Sequence, residues 1–336
     1  MSIKRAICAV ASIGALLAVA GAAPAAAASV AYVDQGSVIL SSLDGAQKVV
    51  LAGPVTNAAG ETEPYLAVAQ ADNGRILAVR NFPGRISRFS SYRVWEPDGS
   101  STVQGPLTAP SGFTIYVYPL SLDLTADGTF VTYGFSNSSG CCPIQLREGT
   151  YARSADGNSL DPIELSGHTW PTTFGRRLIT ASGSTIEVQN ADAAPFGTAF
   201  TPWLDLSGLM LDLSRTDVAA NGKLAAFEVT RRDSGSQTVG KIGVVGIESP
   251  GGALTGTPDC FLPATGLAGE ASLSQDATRI AWRDQDGLKV AGSPVTIADP
   301  CALTSPPVVL SATGRHPSIG GADIARFLPP APPAPP

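Results

Sequence analysis

The sequence predicts an all-β fold: a six-bladed β-propeller of four-stranded blades, with a closing blade shared between the N- and C-terminal ends. Three observations predict it. First, six times along the chain an apolar run meets a turn centred on Gly or a Gly-like position, and a second apolar run follows. The copies are Ala71-Asp72-Asn73-Gly74 before Ile76-Leu77-Ala78-Val79, Ala126-Asp127-Gly128 before Phe130-Val131-Thr132-Tyr133, Thr173-Phe174-Gly175 before Leu178-Ile179-Thr180-Ala181, Ala220-Asn221-Gly222 before Leu224-Ala225-Ala226-Phe227, Gln275-Asp276-Ala277 before Ile280-Ala281-Trp282, and Ile319-Gly320-Gly321 before Ile324-Ala325-Arg326-Phe327. Second, positions 74, 128, 175, 222, 277 and 321 are separated by 54, 47, 47, 55 and 44 residues, the period of a four-stranded propeller blade. Third, a second turn set, Asp44-Gly45, Asp98-Gly99 and Asp156-Gly157, recurs between the third and fourth strands of the units. Two hairpins per unit, with β-branched and aromatic residues between them, specify strands rather than helices.

Each unit then reads as four strands, a to d, from the ring axis outward. In the first full unit strand a lies near 66–71, b near 75–80, c near 92–95 and d near 102–107. The turn before strand b carries Asn-Gly or Asp-Gly, the signature of a two-residue hairpin with positive φ at both central residues. The N-terminal piece, Val30-Ala31-Tyr32-Val33, Val38-Ile39-Leu40 and Val49-Val50-Leu51, supplies strands b, c and d without an a. The C-terminal piece, His316 to Phe327, supplies a and b without c or d. Together they complete one blade; both ends offer a b-type strand, and the sequence leaves open which one pairs in the seam.

The ends and the composition bound the setting. Residues 1–28 have the form of a signal peptide: basic Lys4 and Arg5, an apolar stretch from about Ala6 to Ala20, and Ala26-Ala27-Ala28 before Ser29. The propeller domain is expected over 29–328, and 329–336 is a Pro-rich tail of polyproline II character. Removing the leader takes two of the 22 basic residues and none of the 28 acidic ones, leaving a charge of about −8. That balance argues against nucleic-acid binding. No membrane span is expected after cleavage, so a secreted or cell-envelope monomer is the expectation.

Four cysteines lie beyond the leader: Cys141, Cys142, Cys260 and Cys301. In an oxidising compartment the default is a disulfide, and four cysteines allow three pairings. Cys260 with Cys301 is favoured, because both fall in Pro-flanked sequence near the outer strands of neighbouring repeats. Cys141 and Cys142 are then a vicinal disulfide or two thiols.

The units resemble the TolB-like, WD-type propeller repeats of exported bacterial proteins. In that family a blade carries Ser-Pro-Asp-Gly before an apolar-Ala-aromatic strand. This chain keeps the closing part, as in Ile280-Ala281-Trp282 and Val30-Ala31-Tyr32, and keeps Asp-Gly or Asn-Gly in three copies. It lacks the Pro throughout, and its third and sixth copies are degenerate. The resemblance spans 29–327 and implies a fold; unrelated functions share such rings.

Loop length points to a working face. In a propeller the a–b turns open on one side, and the b–c loops and blade-to-blade crossings on the other. Three b–c connections read as long, at 81–91, 136–149 and 231–238, whereas the others are minimal. They carry Arg85, Arg88, Arg147, Arg231 and Arg232, with Phe82 and Phe89 beside them. Arg with aromatic residues suits an anionic or glycan-like ligand or an acidic protein segment. Asp123, Asp205 and Asp212 are the carboxylates to consider for a funnel metal. His168 and His316 are expected to be structural, and no nucleophile motif of the Gly-x-Ser-x-Gly type is near either. The expectation is a binding or scaffolding module for protein or envelope glycan, with no cofactor, no metal and no catalytic residue assigned. A propeller hydrolase or lyase with a funnel metal, and a structural domain of a longer wall-associated protein, are the alternatives.

Overall fold

The computed structural model describes residues 29–56, 60–80, 90–107, 118–138, 146–156, 163–166, 168–175, 177–189, 199–205, 211–219, 222–232, 238–246, 259–296 and 300–328. Six four-stranded sheets account for nearly all of them. In strand order a to d, blade 1 is Tyr65–Gln70, Ile76–Arg80, Ser90–Trp95 and Ser101–Leu107. Blade 2 is Tyr118–Leu124, Phe130–Ser138, Leu146–Ser154 and Ile163–Ser166. Blade 3 is Thr169–Phe174, Arg177–Ser182, Thr185–Gln189 and Phe200–Asp205. Blade 4 is Leu211–Val218, Leu224–Arg232, Thr238–Gly246 and Cys260–Phe261. Blade 5 is Gly269–Leu273, Arg279–Asp284, Gly287–Thr296 and Ala302–Ser311. Every sheet is an antiparallel meander, and the a strands of successive blades touch one another around a closed ring.

The seam closes through blade 6. Its innermost strand, Arg315–Gly320, pairs antiparallel with Ser29–Asp34, which continues into Ser37–Ser42 and Lys48–Ala52. The N-terminal b strand therefore wins the seam. The rival run Ile324-Ala325-Arg326-Phe327 is not a strand: Ile324–Arg326 forms a 3-10 turn capped by Asp323, whose carboxylate accepts from the Ala325 amide. Ile324 and Phe327 pack beneath blades 6 and 1 with Ala322 and Trp95, which pins the C-terminal end to the ring.

The turns correct a detail of the sequence reading. Gly74, Gly128 and Gly222 adopt φ of 90, 68 and 67°, but Asn73 and Asp127, the residues before the first two, do not take positive φ. Each amide of these glycines donates to the carbonyl three residues earlier (Ala71, Thr125 and Ala219). The turns at Gly74 and Gly128 thus have one left-handed residue, not the two that a two-residue primed turn of the Asn-Gly type needs. In blade 5 Ala277 fills the Gly position at φ 61°. The surrounding side chains hold it there: Ser274 Oγ donates to Asp276 Oδ1 (2.7 Å), which also accepts the Thr278 amide (3.0 Å). Thr125 and Asp127 make the same arrangement in blade 2.

The core lies between blades rather than within one central nucleus. Each blade-to-blade interface has its own apolar cluster, six in all. Val30, Ala31, Tyr32 and Val33 are all buried because alternate residues face different neighbours, Val30 and Tyr32 toward blade 5 and Ala31 and Val33 toward blade 1. Strands covered on both faces become continuous apolar runs. At the rim, Cys260 and Cys301 form a disulfide joining the outer edges of blades 4 and 5. It supplements a d strand of only two residues. Cys141 and Cys142 lie outside the described residues. Among the described residues no helix is long and apolar enough to cross a membrane.

Candidate functional site

The six a strands line a central channel, which two cavities of about 80 and 50 Å³ occupy from the b–c side and the a–b side respectively. They meet at a middle layer containing Asp123, Asp217, Ser272 and Ser318. These four hold equivalent positions in their blades, and each accepts the amide of the next blade. The Thr173 amide donates to Asp123 (2.6 Å), Leu273 to Asp217 (2.6 Å), Ile319 to Ser272 (3.0 Å) and Gln70 to Ser318 (2.8 Å). Where the preceding blade offers Ala69 or Thr172 at this position, the receiving amides of Leu124 and Val218 bond to their own neighbours' carboxylates, Asp123 and Asp217 (2.8 Å each). The layer stitches the inner ring, so no a-strand edge is left with unsatisfied buried amides there.

Burial raises Asp123 above the ordinary carboxyl range, against the Thr173, Thr172 and Leu124 donors. Asp217 is pushed up to about 7 by burial and then by Asp123. Asp72, in the a–b turn of blade 1, rises to about 6 for the same two reasons.

Toward the b–c side every a strand breaks register with its b strand. In four consecutive blades the break holds a residue other than Gly in the left-handed region: Trp170 (φ 51°), Arg215 (42°), Glu270 (60°) and His316 (51°). Such a conformation costs about 1–3 kcal/mol per residue and persists where surroundings over-determine it. Here the four residues bond one to the next around the mouth. The Arg215 guanidinium lies 5.3 Å over the Trp170 ring and 3.6 Å from Glu270 Oε1. The His316 amide donates to Glu270 Oε2 at 2.6 Å. Behind Glu270, the Gly269 backbone lies close to the Glu228 carboxylate, so that a Cβ there would sit 2.9 Å from Glu228 Oε2.

Burial opposes ionisation of Glu270, but His316, Arg215 and Arg283 outweigh it and hold the carboxyl below its ordinary value. Burial pushes the His316 imidazole down to about 4, with Arg215 adding to that effect and Glu270 opposing it. At neutral pH the mouth thus offers a paired guanidinium and carboxylate and a neutral imidazole. Ser121 Oγ and Thr216 Oγ1, on residues 8% and 6% exposed, line the same cavity without a hydrogen-bond partner. The set can donate and accept hydrogen bonds around a compact polar group while carrying little net charge.

The expected site residues fall differently. Arg85, Arg88, Phe82 and Phe89 lie outside the described residues. Arg147 is not in a loop: strands b and c of blade 2 extend to Ser138 and from Leu146, and Arg147 pairs with Asn137. Arg231 and Arg232 likewise end a strand, opposite Val239 and Thr238. All three stand at the rim of the b–c side. Of the proposed funnel carboxylates, Asp123 lines the channel. Asp205 is exposed at the end of the outermost strand of blade 3, far from the axis by construction of the blade. Asp212 sits in strand a of blade 4 opposite Thr230. His168 is structural, stacked on Phe200 at 4.3 Å and 3.0 Å from Glu187; His316, expected to be structural too, belongs to the channel wall. Arg215, Glu270, Asp72 and Asp217 were missed. Reading back from the turns brings out part of the set, because Arg215 and Glu270 each lie seven residues before turn positions 222 and 277, and Asp217, like Asp123 before 128, lies five before 222; Asp72 has no such counterpart.

No family model matches the chain, and no curated protein matches it in sequence. Solved structures do share its fold. A chain of the nidogen/laminin complex is similar over 87% of this chain and 98% of its own, with TM-score 0.57 and 9% identity. The GH93 α-L-arabinofuranosidase of Fusarium graminearum in complex with arabinobiose is similar over 76% of this chain and 83% of its own, with TM-score 0.51 and 11% identity. At these identities the likeness shows a β-propeller and nothing finer.

Proposed function

We propose that the protein is an exported, TolB-like propeller that serves the cell envelope as a glycan-binding module, with the b–c mouth of its channel as the site. The observation that carries this is the internally paired Arg215 and Glu270 beside a neutral His316 and two partnerless hydroxyls. A ligand carboxylate would have to displace Glu270 from Arg215. A polyhydroxyl ligand can bond to the outer edges of the Arg215–Glu270 pair and to the neutral imidazole without breaking that pair. The rim positions Arg147, Arg231 and Arg232 belong to the same side and would extend the contact to protein or acidic glycan partners. Export is supported by the leader-like residues 1–28 and by the disulfide, which oxidising compartments sustain.

The test is calorimetry of the mature protein against neutral and acidic oligosaccharides prepared from cell-wall material. Neutral oligosaccharides should bind, and Glu270→Ala should weaken them tenfold or more. Replacing Arg85, Arg88, Arg147, Arg231 and Arg232 by Ala should reduce capture of envelope partners and its salt sensitivity. Equal binding by all variants would remove the b–c mouth from consideration.

A second reading, a propeller hydrolase or lyase, is favoured by one observation: Asp217 titrates near neutrality in the same channel as an ionised Glu270. Carboxyls pushed apart in this way are an acid–base arrangement. Release of reducing ends that is lost in Asp217→Asn would move the assignment to catalysis.

A further inference from the structure

The wall of the b–c mouth is divided by chemistry. Blades 1 and 2 contribute Ala67, Val68 and Leu122 to its cavity of about 80 Å³, whereas blades 4, 5 and 6 contribute Arg215, Glu270 and His316. The a strands follow one another in blade order around the closed ring, so blades 1 and 2 face blades 4 and 5 across the channel. One arc therefore offers hydrocarbon, and the facing arc offers hydrogen bonds.

The polar arc asks for a particular set of partners. The Arg215 and Glu270 side chains are 20% and 16% exposed, so both can be reached from the mouth. Glu270 Oε2 accepts the His316 amide at 2.6 Å, but Oε1 lies 3.6 Å from Arg215 Nη1, an ion-pair distance too long for a hydrogen bond. Among the described residues no hydrogen bond reaches Oε1. An ionised carboxylate only accepts, so Oε1 wants a donor. The neutral imidazole of His316, on the same cavity, carries one N–H, which wants an acceptor.

Few compact groups meet the three demands together. A hydroxyl has no alkyl face for Ala67, Val68 and Leu122. An ester carries a carbonyl and a methyl but turns no donor to Glu270. A carboxylate would meet Glu270 and an ammonium group would meet Arg215, each like charge against like. A secondary acetamide has an N–H, a carbonyl oxygen and a methyl at its far end.

We propose that the b–c mouth selects an N-acetylated amino sugar, with the acetamido N–H on Glu270 Oε1, the carbonyl oxygen on the His316 N–H, and the methyl against Ala67, Val68 and Leu122. This rests on the reading of that mouth as the glycan site and names the substituent it recognises. Arg215 acts as a positioning residue: paired with Glu270 and lying over the Trp170 ring, it holds the carboxylate in place.

The experiment is calorimetric titration of the mature protein at pH 7 with three trisaccharides of one linkage that differ only in the substituent at carbon 2. These are tri-N-acetylchitotriose with acetamido groups, chitotriose with amines and cellotriose with hydroxyls. The acetylated sugar should bind tenfold or more tighter than either of the others. In Leu122→Asn and in Glu270→Gln that preference should fall to threefold or less. The preference is a ratio measured on one protein, so a partial loss of folded variant does not move it, and the panel on the native protein decides the matter if a variant fails to fold. Cellotriose or chitotriose binding as tightly as the acetylated sugar overturns the proposal and leaves the glycan reading standing. Failure of all three to bind overturns it as well, and the wall oligosaccharides then decide the glycan reading alone. A preference unchanged in both variants places recognition elsewhere and also overturns the proposal.

Discussion

Breaking the Cys260–Cys301 bridge should lower the melting temperature by about 6 °C while leaving the fold intact. The two cysteines are 41 residues apart in sequence and 5.1 Å apart at Cα. Chain-entropy arithmetic for a loop of that length gives about 13 cal/mol/K, or about 4 kcal/mol at room temperature. Unfolding entropy of about 2.1 cal/mol/K per residue over roughly 300 residues gives about 0.6 kcal/mol/K, hence the 6 °C. Local structure explains why the bridge matters. Strand d of blade 4 contributes only Cys260 and Phe261 to its ladder, and the Cys301 amide donates to Phe261 O across the blade boundary at 2.8 Å. Without the bridge those bonds, the Asp259 and Leu262 amide bonds to Val244 O and Ile242 O, and the apolar packing of Leu262 and Leu303 hold the edges together. The assay is scanning calorimetry of the oxidised protein, the reduced protein and the variants Cys260→Ala, Cys301→Ala and their combination. Since both substitutions break one bond, the double variant should melt within about 2 °C of either single one. An unchanged melting temperature on reduction, or additive losses, would refute the reasoning.

Three further outcomes follow from the ring. Deleting residues 1–53 removes strands b, c and d of blade 6 and bares the clusters facing blades 5 and 1; the product should lose its cooperative melt and elute as aggregate, and an unchanged melt would contradict the shared blade. Asp217 and Asp72 bind protons more tightly folded than unfolded, so each withdraws stability as pH rises from about 4 to its folded value of about 7 or about 6. Asp217→Asn should therefore gain stability relative to the native protein by a few kcal/mol between pH 4 and pH 8 in urea melts, and a parallel pair of curves would show the shift to be absent. Ala277→Gly should stabilise by up to about 1 kcal/mol, because the left-handed φ of 61° suits Gly; a loss would mean that the Ser274 and Asp276 side chains already remove the strain.

What the sequence disclosed depended on where the signal was local. Gly74, Gly128 and Gly222 announce the hairpins because a left-handed turn residue is a backbone requirement visible in one residue type. The period between them then fixes blade size. The seam was half legible: Ile324-Ala325-Arg326-Phe327 has the composition of a strand, but Asp323 caps a 3-10 turn there, and the partner it would need is already taken by Ser29–Asp34. The pairing of Cys260 with Cys301 was legible because each sits at the outer edge of adjacent repeats. The channel was hardest to read. Trp170, Arg215, Glu270 and His316 share no residue type; what they share is a bulge, which depends on the pairing of two strands and leaves no mark in composition. Asp123 stands out in the sequence only as one of three carboxylates for a funnel metal and Asp217 reads as an ordinary strand residue; only the Thr173 and Leu273 amides of the next blades reveal what the pair does.

Hydrogen exchange of the mature protein with and without a saturating envelope oligosaccharide tests the central claim most directly. Binding at the b–c mouth predicts added protection in peptides covering Thr169–Phe174, Leu211–Val218, Gly269–Leu273 and Arg315–Gly320, the four strands whose bulges form it. The a–b turn at 71–75 should be unaffected. Protection confined to the a–b turns or to the outer d strands would contradict the account.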